Sequence, residues 1–395
     1  MKSVIMEELE RRERFDFPSR VNHAFVKDAI AFILGRIDAN LDVFTSRFPA
    51  PASHRLVYSA TENTDWTTGF WTGMLWLAYE VTRDDKYLRA AEIQVDSFKQ
   101  RIDSRFHTNT HDLGFLYTLS CVASYKLTAN REAADSALKA ADQLMERYHP
   151  RAGIIQAWGD LNDPNERGRM IIDCCMNLPL LYWASGETGN SRYSSAASEH
   201  VSKAASLIVR EDASTYHTFF MDIDTGLPKH GETHQGYADD SCWSRGQAWG
   251  LYGFALSYIY TGEQELLELA KKLTNFFLNR LPEDLVCYWD LIFTRGDQER
   301  DSSAAAIAAC GMLELARHLP LTDQSKRIYE NAAACIIESL TDNYSTVLNS
   351  SSNGILKHAV YNKPRGMGID ECTIWGDYFY FEALVRLLKD WRSYW

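Results

Sequence analysis

Five stretches of this chain repeat one another in degenerate form: TRDDKYLRAA, TANREAADSA, TGNSRYSSAA, TGEQELLELA and LTDQSKRIYE. Each follows an inner kind of helical segment, apolar nearly all round, such as FWTGMLWLAYEV, MIIDCCMNLPLLYWA or GQAWGLYGFALSYIY. Each opens a second kind with one apolar stripe and one charged face, such as YLRAAEIQVDSFKQRI or LLELAKKLTNFFLNRL. A striped helix keeps one side in water, whereas an all-apolar helix must be covered on every side. No hairpin of this kind can bury its own apolar face, so the units must stack on one another. Apolar periodicity predicts helices near residues 26–47, 68–81, 85–103, 112–127, 131–148, 169–186, 190–210, 245–261, 263–280, 301–318, 323–343 and 374–391, and no alternating strand. Six hairpins with separate inner and outer members close into an all-α, (α/α)6 double-walled barrel. That barrel takes up residues 1–395 as a single domain, with residues 1–25 as an N-terminal extension. Pro179 falls within the third inner helix, where its missing amide predicts a kink.

The inner-to-outer connections are tight, and the outer-to-inner ones are long and full of Gly, Trp, His and Asp. Long loops in a compact domain are usually functional, which puts the site at the barrel end where the inner helices begin. Trp66, Asp112, Asp173, Arg245, Asp301 and Asp377 all fall there. Capping is the ordinary role of an aspartate at a helix start, and it suits Asp112 as well as chemistry does. Asp173 differs, because it stands in RMIIDCCMN within an apolar segment, and a carboxylate there is costly to keep charged unless it is paired or used. Burial predicts a raised pKa for Asp173, while Asp112, beside His111 and at a positive helix end, is expected to stay ionised. Two carboxylates pushed apart in this way define an acid and a base.

The net charge of -12 argues against a nucleic acid or an anionic membrane as partner, since either needs a basic footprint. An anionic substrate would then require a local basic pocket. Many of the 11 Trp stand in Gly-containing segments, the chemistry of a sugar-stacking cleft. The N-terminus, MKSVIMEELERRERFDF, has no apolar run of signal length, and no segment reaches that of a membrane span. A cytoplasmic location is expected. The 8 Cys, including Cys174 and Cys175, lack C-x-x-C spacing and read as reduced core residues. His107 and His111 bracket a polar loop without further ligands at suitable spacing. Tyr378, Phe379 and Tyr380 read as core, and the glycines of WSRGQAWG lack the strand-turn-helix setting of a nucleotide site. Neither metal nor cofactor is expected.

From about residue 40 to the C-terminus, NTDWTTGFWTGMLWLAYE, HDLGFLY, GIIQAWGD, IIDCCMNLPLLYWA, YHTFF, THQGYADDSCWSRGQAWGLYGFAL, YWDLIF, RDSSA and TIWGDYFYFEAL resemble segments of unsaturated glucuronyl hydrolases, glycoside hydrolase family 88. The resemblance implies an (α/α)6 barrel, in agreement with the helix count. Position by position it implies that Asp173 is the catalytic general acid and base and Asp112 its partner carboxylate. It implies that Trp66 stacks on the sugar, that His217, Gln235 and Arg245 contact the unsaturated uronate, and that Trp243 and Trp249 line the pocket. The reaction it implies is hydration of a vinyl ether in an unsaturated uronic-acid-containing disaccharide, by a monomer or homodimer. Three other readings compete. An unsaturated rhamnogalacturonyl hydrolase would share fold and mechanism. A non-catalytic carbohydrate-binding toroid would have little use for a buried unpaired carboxylate. A prenyl or terpenoid enzyme would need a longer acidic cluster than Ala238-Asp239-Asp240.

One loop departs from part of that family. Members that prefer sulfated substrates resemble one another in an S-x-x-S-x-K loop before the last inner helix. Here the loop is YNKPRGMGIDE, which puts Asn362 and Arg365 at the two Ser positions and Met367 at the Lys position. Lys363 and Arg365 can still supply cations for a sulfate, but Met367 brings no charge and Pro364 stiffens the loop. The expectation is a preference for substrates without a 6-sulfate.

Overall fold

The computed structural model describes residues 3–395. Outer and inner helices alternate along the chain: α1 (His23–Phe44) is outer, α2 (Thr68–Thr82) inner and α3 (Asp85–Asp103) outer. The next inner helix is α4 (Leu113–Tyr117) and α5 (Ala123–Thr128), joined by a π-turn over Thr118–Val122. Then come α6 (Arg131–Met145), inner α7 (Leu178–Thr188), α8 (Ser191–Lys203), inner α9 (Ser244–Thr261), α10 (Gln264–Asn279), inner α11 (Ser302–His318), α12 (Gln324–Ser339) and inner α13 (Ile374–Leu388). The inner helices pack in a closed ring, each on the next, with α13 against α2. This is the (α/α)6 barrel. Burial follows the two patterns in the sequence: α9 is buried from Ser244 through Ser257, whereas α6 buries its alanine stripe and exposes its charged face. Inner helices also approach closely, since a Cβ at Gly69 would meet the Phe115 carbonyl oxygen at 2.3 Å.

Four of the five repeated connectors share one local chemistry, the exception being the one between α11 and α12, where Leu319 is extended. A threonine ends the inner helix and its hydroxyl bonds back four residues, Thr82 to the Ala78 carbonyl at 2.7 Å and Thr188 to the Ala184 carbonyl at 2.7 Å. The next residue is left-handed: Arg83, Ala129, Gly189 or Gly262. The third accepts from the first turn of the outer helix, as Asp84, Asn130 and Asn190 do, and in Asp84 and Asn190 its own amide returns to the threonine hydroxyl. Orphan groups at both helix ends are thereby satisfied within three residues.

Two expectations are corrected. Short strands do exist, all of them in loops: β1 (Phe48–Pro49) pairs with β2 (Ala60–Thr61), β3 (Tyr148–His149) with β4 (Ile154–Ile155), β5 (Arg169–Ile171) with β6 (Thr218–Met221) and then β7 (Pro228–Glu232), and β8 (Ala359–Asn362) with β9 (Met367–Glu371). Runs of two to five residues are too short for alternation to stand out against a helical background. Pro179 does not kink a helix either. The segment Ile172–Met176 is a 3-10 turn and α7 starts at Leu178, so Pro179 occupies the first turn, where no amide is needed. Of the N-terminal extension, Val4 and Phe15 are buried, and the carbonyl of Val4 and the side chain of Glu7 are held by Lys272, Asn279 and Arg280 around the end of α10.

Candidate active site

A cavity of about 490 Å³ opens at the barrel end where the inner helices begin. Its wall is contributed by the chain just before α2 (Asp65, Trp66), before α4 (His111, Asp112), before α7 (Trp158, Asp173), before α9 (His234, Gln235) and before α13 (Tyr361, Asn362, Arg365, Met367). Of the residues singled out in the sequence, Trp66, Asp112, Asp173, Gln235, Asn362 and Arg365 line it.

Asp173 sits in the 3-10 turn ahead of α7 and is 8% exposed. Its Oδ1 has no hydrogen-bond partner and faces the His217 Nε2 at 3.9 Å. Burial, and then the charge of Asp112, push its pKa up to about 7. Asp112 does not cap α4; its Oδ2 accepts from the Thr110 hydroxyl at 2.7 Å, and His111 Nε2 stands 3.3 Å from its Oδ1. Asp112 is expected to stay ionised, and a pKa of about 6 leaves it so at neutral pH, although the helix end does not keep it at the ordinary carboxylate value. Burial raises the pKa, against the hydrogen bonds of Thr110 and Asn177 and the charges of Arg147 and Arg101. His111 is itself buried and its pKa is driven down to about 3, chiefly by burial, so it is a neutral neighbour. The two carboxyls therefore remain ordered as expected, with Asp112 the first to ionise.

His217 receives the amides of His234 and Gln235 on Nδ1 at 3.1 and 3.2 Å, which leaves the proton on Nε2, directed toward Asp173. Arg245 does not line the cavity. It is 1% exposed and donates to Asp301 at 3.0 Å, to the carbonyls of Val360 and Tyr361, and to Gln235 Oε1 at 2.8 Å. Gln235 thus turns its amide NH2 away from Arg245. Trp243 lies between Arg245 and His217, 4.4 Å from the guanidinium carbon and 4.3 Å from the imidazole. Trp249 is fully buried beneath the floor, against Phe115 and Phe379. Trp66 is that floor: its ring stacks on Trp375 at 5.2 Å and its Nε1 donates to the Tyr361 hydroxyl at 3.0 Å. Asp301 caps α11 through the amides of Ser303 and Ala304. Asp377 stands apart from the cavity, accepting from the Tyr58 hydroxyl and the amides of Ile355 and Leu356.

Sequence reasoning passed over Trp158, His234, Tyr361 and Asn109, which also line the cavity. The signal for Trp158 was the lone aromatic of GIIQAWGD in a polar loop. The lining carries Arg101 and Arg365 as its cations beside the carboxyls of Asp65, Asp112 and Asp173, so it is mixed in charge and not the basic pocket expected for an anionic ligand in an acidic protein. Among the described residues no group of three or more His, Cys, Asp or Glu side chains can hold a metal ion, and no helix is long and apolar enough to cross a membrane.

Comparison with known proteins defines the class. The model of Glycosyl Hydrolase Family 88 matches residues 40–380, and the chain belongs to this family of glycoside hydrolases. It is 47% identical over 396 residues to the unsaturated chondroitin disaccharide hydrolase of Streptococcus pneumoniae, covering 100% of both chains. The crystal structure of an unsaturated glucuronyl hydrolase from Streptococcus agalactiae superposes with a TM-score of 0.98 at 45% identity, again over 100% of both. A variant of that enzyme complexed with dGlcA-GalNAc6S superposes at 0.90 with 43% identity over 100% of both.

Proposed function

We propose that this protein releases 4,5-unsaturated glucuronic acid from the non-reducing end of lyase-generated oligosaccharides, of glycosaminoglycan or bacterial exopolysaccharide origin, by hydrating the vinyl ether double bond. The whole chain acts as one catalytic unit. The observation that carries the reading is the Asp173 carboxyl, buried, with an unpartnered oxygen and a pKa pushed up to about 7, beside an Asp112 that ionises lower.

In a 4,5-unsaturated uronide the ring oxygen feeds electrons into the double bond, so C4 accepts a proton and C5 becomes an oxocarbenium centre. Asp173, protonated at rest, gives its proton to C4. The resulting carboxylate takes a proton from the water that attacks C5, so one residue is acid and then base. The hemiketal at C5 opens to a ketone, leaving C1 as a hemiacetal that expels the second sugar. Carboxylate spacing rules for attack at the anomeric carbon do not apply to this chemistry. Asp112 supplies negative charge beside the developing oxocarbenium and keeps Asp173 basic. His217 Nε2–H and the Gln235 amide donate to the uronate, Arg245 and Trp243 hold both donors in place, and Trp66 carries the sugar face. Trp249 backs that floor.

The same reading extends to sulfate. Lys363 pairs with Glu299 and Asn362 Oδ1 accepts from the Arg365 amide at 3.2 Å. Lys363 is therefore not free for a 6-sulfate, and the Asn362 amide, held by its oxygen, offers only an uncharged donor. Met367, 44% exposed, lines the rim instead. Unsulfated disaccharides are therefore the better substrates.

The test is to incubate the protein with a panel of unsaturated disaccharides and follow loss of the conjugated double bond's ultraviolet absorbance. Turnover of unsaturated glucuronyl disaccharides is expected. Turnover only of unsaturated galacturonyl-rhamnose would shift the assignment to the pectin activity, and loss of none would leave a binding protein.

A further inference from the structure

We propose that Arg169 is a positioning residue: it holds the indole of Trp158 as the platform on which the departing sugar stacks. This rests on the reading above, in which the uronate occupies the deep part of the cavity. Asp173, 8% exposed, lies at that depth, whereas Trp158 is half-buried on the loop that follows β4. A sugar linked to the reducing side of the uronate trails outward, past Trp158.

The indole is held from three sides. The Arg169 guanidinium carbon lies 5.0 Å over the Trp158 ring and 5.0 Å over the Phe220 ring, and Phe220 in turn stacks on His230 at 5.2 Å with 16° between planes. Glu166 forms an ion pair with Arg169, and Gly159, at φ +87, leaves room for it, since a Cβ there would sit 2.9 Å from Glu166 Cγ. The Trp158 ring also meets the His234 ring, 5.1 Å between centroids and tilted by 49°. Buried Arg147 pins the backbone on both sides by donating to the carbonyls of Gln156 at 2.9 Å and Gly159 at 3.0 Å. Trp158 lines the cavity and Arg169 does not, so the ring stands between the cation and the ligand. A guanidinium stacked on an indole away from water is worth more than one in solvent, and it restricts the ring to one plane. The stack reads a pyranose face and not its hydroxyl pattern, which suits a platform for varied second sugars.

The test compares two probes: an unsaturated glucuronyl disaccharide, and methyl 4,5-unsaturated glucuronide, which has the reacting ring but no second sugar. The quantity read is the ratio of kcat/KM for the first over the second. In Arg169→Met, which keeps the apolar stem but removes the cation and the Glu166 pair, the ratio is expected to fall about tenfold through the KM of the disaccharide. Arg169→Lys should recover part of it. Combining Arg169→Met with Trp158→Ala should cost no more than Trp158→Ala alone, as expected when one residue acts through the other. An unchanged ratio, or losses that add, would overturn the proposal. Failure of the unmodified enzyme on both probes would instead break the reading on which it rests.

Discussion

Between α2 and α3 the chain turns in Arg83 and Asp84 alone, whereas between α8 and α9 it runs from Ala204 to Trp243 and lays down two strands. The first kind of turn recurs at four of the five connectors of one barrel end with the same threonine and left-handed residue, and at three of them with the same side-chain cap. At the other end no two loops are alike, and each brings different side chains to the cavity. Buried carboxylates differ in the same way. At the closed end Glu314 and Glu382 share Arg386, at 2.5 and 3.0 Å, and Glu382 also receives Tyr252 and the C-terminal Trp395. Burial alone would raise the pKa of Glu314, but Arg386 and His318 outweigh it and hold it at about 2. At the mouth Asp112 and Asp173 face no such partner and are raised to about 6 and about 7. Paired charges fix the structure; unpaired ones remain available to move a proton.

The largest expected effect tests the closed end. Arg386→Met leaves two buried carboxylates without their cation, and loss of one partner of such a network costs about 3–5 kcal/mol. Denaturant unfolding should show that loss, while the KM of the folded fraction stays where it was. Unaltered stability would mean that the network is not what holds this end.

The mouth should answer in the opposite sense. Asp173→Asn removes the proton donor, and turnover should drop by at least about a hundredfold. In the unmodified enzyme Asp112 must be ionised and Asp173 protonated, so kcat/KM should follow a narrow bell with limbs near pH 6 and pH 7. Stability adds a second readout. Asp173 has a folded pKa raised from 3.8 to about 7, so the folded state holds its proton more tightly than the unfolded chain. That contribution is complete below about pH 4 and is lost as pH rises to 7. Asparagine never ionises and escapes the loss. The variant should thus gain stability over the unmodified protein with rising pH, by on the order of a few kcal/mol above pH 7. A melting difference that does not change between pH 4 and pH 8 would contradict a buried, unpaired Asp173.

A smaller effect is expected where the mouth varies without touching the chemistry. With Lys363 bound to Glu299 and Met367 at the rim, the unsulfated chondroitin disaccharide should have the higher kcat/KM. A 6-sulfated one that proved better by tenfold, worth about 1.4 kcal/mol of transition-state binding, would show that Arg365 captures the sulfate despite the altered loop.

The same contrast explains what could be read from the sequence. The closed end is local: threonine, left-handed residue and cap are adjacent, so the repeat and the ring of hairpins were legible. Asp173 was legible because a carboxylate in IIDCCMN has no local explanation. The expectations for Arg245 and Trp249 placed them at the ligand, yet Arg245 is committed to Asp301, Gln235 and two carbonyls, contacts made with chain up to 116 residues away. Nothing near SRGQAW announces them. Trp158 had a local signal as the lone aromatic of GIIQAWGD, but its partners Arg169 and His234 meet it only in the folded loops.

The smallest prediction returns to the repeated turn. Ala129 adopts φ 60 and ψ 26 at the end of α5, a region where a Cβ crowds the following carbonyl and costs about 1–2 kcal/mol. Gly189 and Gly262 fill the equivalent place without that strain. Ala129→Gly removes the clash but frees the unfolded chain, an opposing effect of about 0.4–1 kcal/mol. The net should be stabilising by less than about 1 kcal/mol, read as a rise in Tm of no more than a few degrees, with kcat/KM unchanged because the turn lies at the far end from Asp173. Arg83 is the poorer site for this test, because its guanidinium lies 5.4 Å over the Tyr79 ring and would be lost with the substitution. If Ala129→Gly lowered Tm, the left-handed alanine would have to be held by contacts that the turn itself does not supply, and the three residues would no longer act as a self-contained unit.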